Sequence, residues 1–581
     1  MHVIIPGRRL QILRRARVSG CRRHGTAGVH IFQAIEYEIP CRWPRPTVVA
    51  QNSITGYFSN MRIPLSLKRL LSSPWFFFVL SILVLLPGIN RGFILDEYKT
   101  YMLTDLDWRN LLHDRFTSGH FPTYFIIIKS FSQWVGNQEW QLRLPGVLMA
   151  SLTVFPCFAI ALRVGGLRAA VITTWILVFH QLMVWSGQTA RPYSGMIFFQ
   201  FLLVWALLEW LAGGQKKHLM VLGLATLGGL SFMPLFATVP LAMIVVLLAR
   251  YRVTRQRRQL SASLVMASVI VLSLIPSVVL AFTQSKLNTE VAEEGAVRFQ
   301  NPKRIIDAVS LLVYGEYPRW APGIFQYFAV IIFALCFVQF RRYIPRRAAA
   351  DALTPDIPAY SLIVSWLVFP IAVLLVGEVV TAESLISHTR YKVPAIGATI
   401  MILGLGCHFT LNAPWPAWRR HALCAAAIVP IMITTMAWWR QGGEGVQQVV
   451  ERVCEVTGGV PDQLAGHVRW FRFEIPGEEV SRRELILERA ELHLNKPFVE
   501  RAIATGNDVE TFVYDKKTKD IEPLRAELER WAQGKPFWLF AYIKPGDPLD
   551  KVSKNPPAGY RTVRRISCGD ARAYELVPVT P

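Results

Sequence analysis

Two adjacent carboxylates, Asp96 and Glu97, directly follow a long apolar run in the stretch Asn90-Arg91-Gly92-Phe93-Ile94-Leu95-Asp96-Glu97-Tyr98. A carboxylate at a membrane surface escapes the full cost of the hydrocarbon core while water around it is restricted. That setting suits a general base or a cation site. The plain alternative is a solvated acidic turn after a helix. Next comes Gly119-His120-Phe121-Pro122-Thr123-Tyr124. At an interface His120 can ligate a metal, share a proton or bond a headgroup. Pro122 suits the first turn of a helix, where a missing N–H costs nothing. Arg143, in Leu142-Arg143-Leu144-Pro145, sits at an apolar boundary where snorkelling is the ordinary role. Two basic turns complete the set, Gln188-Thr189-Ala190-Arg191-Pro192-Tyr193 and Ser387-His388-Thr389-Arg390-Tyr391-Lys392-Val393-Pro394. An arginine fork takes a phosphate bidentately and a lysine adds a point charge. Arg191, Arg390 and Lys392 therefore suit an anionic ligand, with phospholipid headgroups as the bland version of the same chemistry.

The elements that must position these residues are membrane helices. Of 581 residues, 52% are hydrophobic and 18% charged, against about 45–50% and about 25% in soluble domains. A mean hydropathy of +0.31 agrees. Eight cysteines without a C-x-x-C pair exclude a disulfide scaffold and a zinc ribbon. The net charge of +23 is what cytoplasmic loops of a membrane protein collect, not a nucleic-acid signal. Eleven apolar runs approach the roughly 20 residues needed to span a bilayer. They are Trp75–Asn90, Leu142–Arg163, Arg168–Trp185, Ser194–Ala212, Leu219–Phe236, Ala237–Arg250, Ser261–Thr283, Pro322–Phe340, Tyr360–Thr381, Pro394–Leu411 and Ala422–Trp438. Basic clusters at Lys68/Arg69, Arg163/Arg168, Lys216/Lys217, Arg250–Arg258, Arg341–Arg347 and Arg419/Arg420 all fall on one side if every run crosses. That holds only if the shorter stretch Phe121–Val135, with Lys129 in its middle, is a re-entrant or interfacial helix. The carboxylate pair, the two basic turns, the 284–321 loop and everything after Trp439 then share the outer side. Arg191, Arg390 and Lys392 are exceptions to the positive-inside rule, and a cation held outside needs a local reason.

The chain divides into three regions. Residues 1–60, with Arg8, Arg9, Arg14, Arg15, Arg17, Arg22 and Arg23 and no apolar signal core, read as a basic disordered tail, or as sequence upstream of a start at Met61. Residues 61–439 form the membrane domain. Residues 440–581 turn charged and read as a small outer α/β domain. Its strands are expected at Val509–Tyr514, Phe537–Ile543, Tyr560–Ile566 and Ala573–Val577, with a helix at Ile521–Gln533. Cys454 and Cys568 lie in it, either paired or both free.

Taken in order, these elements resemble the polytopic GT-C glycosyltransferases that use polyprenyl-phosphate-linked sugars, in the bacterial branch related to protein mannosyltransferases and to the aminoarabinose transferase of lipid A. The resemblance rests on Asp96-Glu97, His120-x-Pro122-x-Tyr124, Arg143-Leu144-Pro145, Gln188-x-Ala190-Arg191-x-Tyr193 and Arg390-Tyr391-x-x-Pro394, over roughly Trp75 to Leu411. It implies a GT-C-like fold of about 11 transmembrane helices plus the re-entrant or interfacial one, in the bacterial inner membrane with a periplasmic C-terminal domain. It further implies inverting sugar transfer from the lipid phosphate to a hydroxyl of an envelope glycan, lipid or protein. In that scheme Asp96 is the base, and Glu97 positions it or helps hold a divalent cation, for which His120 is the further ligand. His120, Tyr124, Arg191, Tyr193, His388, Arg390, Tyr391 and Lys392 would line the substrate site. Relatives differ in whether they need a metal ion. Two departures stand out: Thr189 replaces the glutamate common in the family's turn, and Phe121 the first proline of its His-Pro-Pro pattern.

Two other classes compete. A polytopic transporter or lipid flippase should carry ionisable residues inside its helices, and Glu209, Glu378 and Lys129 are the ones here. A non-catalytic scaffold would leave Asp96-Glu97 and the outer arginines without a role.

Overall fold

In a computed structural model of the protein the described residues are 70–90, 95–117, 121–288, 303–315, 323–348, 359–381, 385–441, 446–458, 463–467, 508–512, 521–542, 551–552, 554–568 and 571–579. All belong to the unit Gly56–Pro581. The unit Met1–Thr55 and the expected tail 1–60 lie outside them.

The first helix, α1 (Pro74–Leu85), starts with proline at its first position and Ser73 accepting from the Trp75 N–H, both standard start signals. Three helices lie between it and the next apolar run: α2 (Leu95–Asp105), α3 (Trp108–Thr117) and α4 (Thr123–Val135). Asp107 starts α3 by accepting from the Asn110 N–H at 2.8 Å. Helices α5 (Glu139–Leu152) and α6 (Val154–Gly165) join into one span of 27 residues. Helices α7 (Leu167–Phe179) and α8 (Gln181–Gly187) form a span bent by 58°. The break sits at His180 and its loose ends are satisfied. The imidazole Nδ1 accepts from Leu182 N–H, Nε2 bonds Leu312 O at 3.0 Å, and Thr435 Oγ1 donates to Phe179 O. A broken helix at membrane depth is tolerable only with such partners.

Then come α9 (Tyr193–Gly213), α10 (Lys216–Phe232), α11 (Thr238–Thr254), α12 (Arg257–Asn288), α13 (Lys303–Tyr314), α14 (Ile324–Ala348) and α15 (Ala359–Thr381). A 3-10 turn at Leu385–Ser387 leads into α16 (Thr389–Leu411), and α17 (Ala417–Gln441) closes the helical part. All eleven apolar runs are helical. Among the described residues seven helices are long and apolar enough to span, or eight with the bent pair. Of the others, α1 has 12 residues and α10 has 17. The protein is thus a multi-pass membrane protein. Helix α16 is its axle, fully enclosed by its neighbours. Small residues allow this close approach. A Cβ on Gly404 would lie 2.2 Å from Thr173 Oγ1, and one on Gly397 2.2 Å from the Trp366 ring.

Hydrogen bonds and ion pairs sort the helix ends into two groups. At one end Arg163 pairs with Glu209, Arg168 reaches Asn412 Oδ1 at 3.4 Å, and Arg420 donates to Leu411 O at 3.0 Å. There Arg258 donates to the carbonyls of Leu211 and Ala212. Arginines that cap helix C-termini satisfy orphan carbonyls and complement the helix dipole. At the other end Arg143 meets Glu97 and Ile89 O, and Gln188 meets Leu85 O and Trp438 Nε1. Arg163, Arg168, Arg258 and Arg420, from the basic clusters grouped by the positive-inside rule, therefore collect at one end, and Glu97 and the Gln188–Tyr193 turn at the other.

Helix α4 does not cross. Its first residues pack with Ala190 and Leu142 in one apolar cluster, and its last carbonyl, Val135 O, accepts from Gln141 Nε2, two residues before Arg143. Both ends thus lie at the Arg143 end, and 13 residues reach only about 20 Å against a core of about 30 Å. Lys129 is buried, its ammonium donating to Thr104 O at 2.7 Å and to Leu106 O, and so it caps the C-terminus of α2.

After Gln441 the chain forms α18 (Val446–Thr457), β1 (Gln463–His467), β2 (Asp508–Phe512), α19 (Glu522–Ala532), β3 (Phe537–Tyr542), β4 (Tyr560–Cys568) and β5 (Ala571–Pro578). They make one sheet in the order β2-β1-β3-β5-β4, parallel across β2-β1-β3 and antiparallel across β3-β5-β4. Leu524, Leu528 and Ala532 of α19 pack on Phe537, Leu539, Tyr574 and Leu576. Strand β1 and helix α18 are additions to the elements expected from sequence. The side chains of Cys454 and Cys568 lie outside the described residues.

We expect a cysteine at Phe121, just before α4, and one at Gln138, just after it, to react with a membrane-impermeant maleimide from the same side. Labelling of the two from opposite sides would mean that α4 crosses.

Candidate active site

The acidic pair opens the site, and its second member is fully buried. Glu97 accepts from Arg143 through both oxygens, Oε1 from Nε at 2.8 Å and Oε2 from Nη2 at 2.7 Å. Oε1 also accepts the Ala190 N–H at 2.7 Å. Arg143 spends a further nitrogen on Ile89 O at 2.7 Å. One carboxylate thus fastens α2, the first turn of α5, the end of α1 and the turn before α9. A bidentate guanidinium–carboxylate pair is among the stronger polar contacts, and without water it is unforgiving of losing either partner.

The turn itself is built from within. Gln188 donates to Leu85 O at 2.9 Å and to Pro87 O, and accepts from Trp438 Nε1 at 2.9 Å. Thr189 donates its hydroxyl to Trp185 O at 2.5 Å. Gly146 lets α5 pass beneath, since a Cβ there would lie 2.9 Å from Gly187 O. Tyr193 is buried and stacks on Trp185 with ring centroids 4.8 Å apart. Arg191 is half-buried and lies within electrostatic reach of Tyr124 and of Arg115.

Tyr124 is 3% exposed. Burial first, with Glu97 and Tyr193 adding and Arg191 opposing, pushes its phenol well above the ordinary 10.0, so the hydroxyl stays protonated at neutral pH. Among the described residues that hydroxyl has no hydrogen-bond partner, and an unpaired buried hydroxyl is costly unless something else uses it. Below it Arg115 lies 4.6 Å from the centroid of Phe125 and is paired with Asp114, both side chains being 1% exposed. Burial lowers the Arg115 pKa, Asp114 raises it, and Arg191 lowers it again. Nothing in the spacing of Asp114-Arg115 marks this pair in the sequence. Only its position in the outer segment between α1 and α5 hints at it.

The second basic turn stands at the start of α16. His388 is exposed, its ring edge-on to Tyr391 at 5.7 Å. Arg390 is half-buried, 4.9 Å above the Tyr391 ring and donating to its hydroxyl at 3.2 Å. Its Nε is buried without a partner among the described residues. Lys392 is 4% exposed and donates to Ile386 O at 2.8 Å. Helix α16 packs on α9, where Gln200 Nε2 reaches Val393 O at 3.4 Å, one turn below Arg390. Arg191 and Arg390 thus sit at the tops of neighbouring helices.

Asp96 lies in α2 beside Glu97, but its side chain and the whole of His120 are outside the described residues. The described residues contain no group of three or more His, Cys, Asp or Glu side chains placed to hold a metal ion. Both Glu97 oxygens are engaged by Arg143, and Oε1 by the Ala190 N–H as well, so a cation at Glu97 would compete with the guanidinium.

Residues 119–280 match the family model for dolichyl-phosphate-mannose-protein mannosyltransferase. The segment takes in His120, Tyr124, Arg143, Arg191 and Tyr193 and stops short of Asp96-Glu97 and of 388–392. No match was found among curated proteins. Among solved structures, the chain is similar to ArnT from Cupriavidus metallidurans bound to undecaprenyl phosphate, at 12% identity and a TM-score of 0.45, over 86% of this chain and 97% of that one. It is also similar to the oligosaccharyltransferase AglB from Archaeoglobus fulgidus in complex with an inhibitory peptide and a dolichol-phosphate. That likeness has 12% identity and a TM-score of 0.44, over 85% of this chain and 79% of AglB.

Because Glu97 and Arg143 neutralise each other without water, Glu97→Gln and Arg143→Met should each destabilise the protein by about 3–5 kcal/mol. The double variant Glu97→Met/Arg143→Met should recover part of that loss. Thermal unfolding of detergent-solubilised protein measures it, and single variants as stable as wild type would contradict the assignment.

Proposed function

We propose that the chain is a glycosyltransferase of the GT-C superfamily, a reading supported by its match over residues 119–280, and that it moves a sugar from a polyprenyl phosphate to a hydroxyl acceptor at the periplasmic face of a bacterial inner membrane. One observation carries the reading. The bond from Ala190 N–H to Glu97 Oε1, at 2.7 Å, joins the residue after Asp96 to the residue before Arg191. A carboxylate and a guanidinium are thereby each one residue from the same buried hydrogen bond, on the same end of the protein.

In the proposed reaction Asp96 accepts the proton of the acceptor hydroxyl while its oxygen attacks the anomeric carbon. The bond from that carbon to the phosphate oxygen breaks on the opposite face, so configuration inverts. The electron pair leaves with the polyprenyl phosphate. Arg390 and Arg191 stabilise the added negative charge, and the Tyr124 hydroxyl is a donor for the phosphate or the sugar. Cations aimed at charge that develops only as the bond breaks lower the barrier more than they tighten ground-state binding. Donor class follows the family model, whose name specifies a dolichyl-phosphate sugar. Acceptor candidates are an envelope glycan, a lipid or a protein hydroxyl.

The ionisable residues inside helices do not favour a transporter. Lys129 caps α2, Glu209 pairs with Arg163, and Glu378 accepts the Ile386 N–H. Each has a structural task.

The test is transfer from a panel of undecaprenyl-phosphate-linked sugars in membranes. We expect Asp96→Asn to lower the rate by about 10²–10⁴-fold, the usual worth of a general base, with the protein still folded. A wild-type rate in that variant would sink the base assignment.

A further inference from the structure

Two buried charges of opposite sign converge on a single residue beside the Arg390 turn. Glu378, in the last turn of α15, is 5% exposed, and its Oε2 accepts the Ile386 N–H at 3.1 Å. Lys392, in the first turn of α16, is 4% exposed, and its Nζ donates to Ile386 O at 2.8 Å. Ile386 is itself 3% exposed. Both backbone groups of one residue in the Leu385–Ser387 turn are therefore held by ionised side chains from the two helices it connects. The other Glu378 oxygen faces Arg304 of α13 at 3.7 Å.

Burying a carboxylate and an ammonium at the edge of an apolar bundle is costly. A connection between two helices does not need it, since turns close with ordinary backbone bonds. The expense is explicable if the direction of this turn must be fixed for the residues beyond it. Two residues after Ile386 comes the exposed His388, and four after it Arg390, in the first turn of α16. A cation there works against the positive end of the helix dipole, so Arg390 is not placed for the sake of the helix.

We propose that Glu378 and Lys392 are positioning residues, which clamp the Leu385–Ser387 turn and thereby hold His388 and Arg390 toward the phosphate of the lipid-linked donor. Lys392 then acts on the turn and not on the ligand. This rests on the reading of Arg390 as a phosphate group's partner. The two residues act through the same backbone segment, so their effects are not independent.

Binding of undecaprenyl phosphate to the purified full-length protein in nanodiscs, followed by native mass spectrometry, tests this with thermal unfolding recorded alongside. Glu378→Ala and Lys392→Met should each weaken binding about tenfold, the loss of one hydrogen bond to a charged group. The double variant should bind no more weakly than the poorer single one, as expected for residues sharing a partner. Glu378→Gln keeps the acceptor and should bind within about threefold of wild type. Losses that multiply in the double variant would mean Lys392 touches the phosphate itself, overturning the clamp. A tenfold loss in Glu378→Gln, or unchanged binding in Glu378→Ala, would overturn it too. Wild-type protein that fails to bind undecaprenyl phosphate would instead sink the donor reading beneath it.

Discussion

A carboxylate and a guanidinium shut away from water must satisfy each other, and the site end of this protein is organised around that demand. Glu97 and Arg143 are separated by the rest of α2 and the whole of α3 and α4 in sequence, yet no part of their pairing is exposed. Because Glu97 also takes the Ala190 N–H and Arg143 the Ile89 carbonyl, four chain segments are fixed relative to one another by two side chains. Helix α4 is held down at its middle by Lys129, which caps α2. The helices between α1 and α5 therefore form a packed unit rather than a loop, and the apolar cluster of Leu103, Leu111, Tyr124, Phe125 and Leu142 fills the space between them. Hydrophobic packing supplies the bulk of the adhesion, while the ion pair selects which arrangement is adhered to.

Much of the architecture was legible because its signals are strong and local. Runs of apolar residues announce membrane helices whatever their neighbours do, and the alternation of basic clusters set Phe121–Val135 apart as a helix that does not cross. In the C-terminal domain the expected strands fall close to β2–β5, while β1, with Gln463-Leu464-Ala465-Gly466-His467, lacks the β-branched and aromatic residues that mark strands. It is a strand because β2 and β3 flank it on either side, a fact of tertiary context. Helix α18 was invisible for a related reason, since it begins only four residues after a transmembrane helix ends.

The site was legible in its residue types more than in their partnerships. Asp96-Glu97 and the two basic turns stand out in the sequence, but Arg143 read as a snorkelling residue, and its real partner lies 46 positions away. Lys392 read as a ligand for phosphate, and nothing in its sequence context announced the bond from its ammonium to Ile386 O. Asp114-Arg115 gave no signal, because adjacent opposite charges on an outer helix ordinarily face water. Charge is conspicuous in a sequence. What a charge is spent on is decided by which groups the fold brings within about 3 Å of it.

That distinction bears on the adjacent acids. Successive residues leave a helix about 100° apart, so neighbours in sequence have different surroundings. If Glu97 took a proton in a reaction cycle, Arg143 would be left with an uncompensated charge in a waterless site, at a cost of several kcal/mol. The Ala190 N–H would lose its anionic acceptor in the same step, loosening the turn that carries Arg191 at the stage when, in the proposed reaction, charge develops on the phosphate. A base cannot also be the group that holds the site together during the proton transfer. In the proposed reaction the chemistry of a proton acceptor and that of a permanent anion are thus divided between two neighbouring carboxylates, with Glu97, paired to Arg143, in the second role.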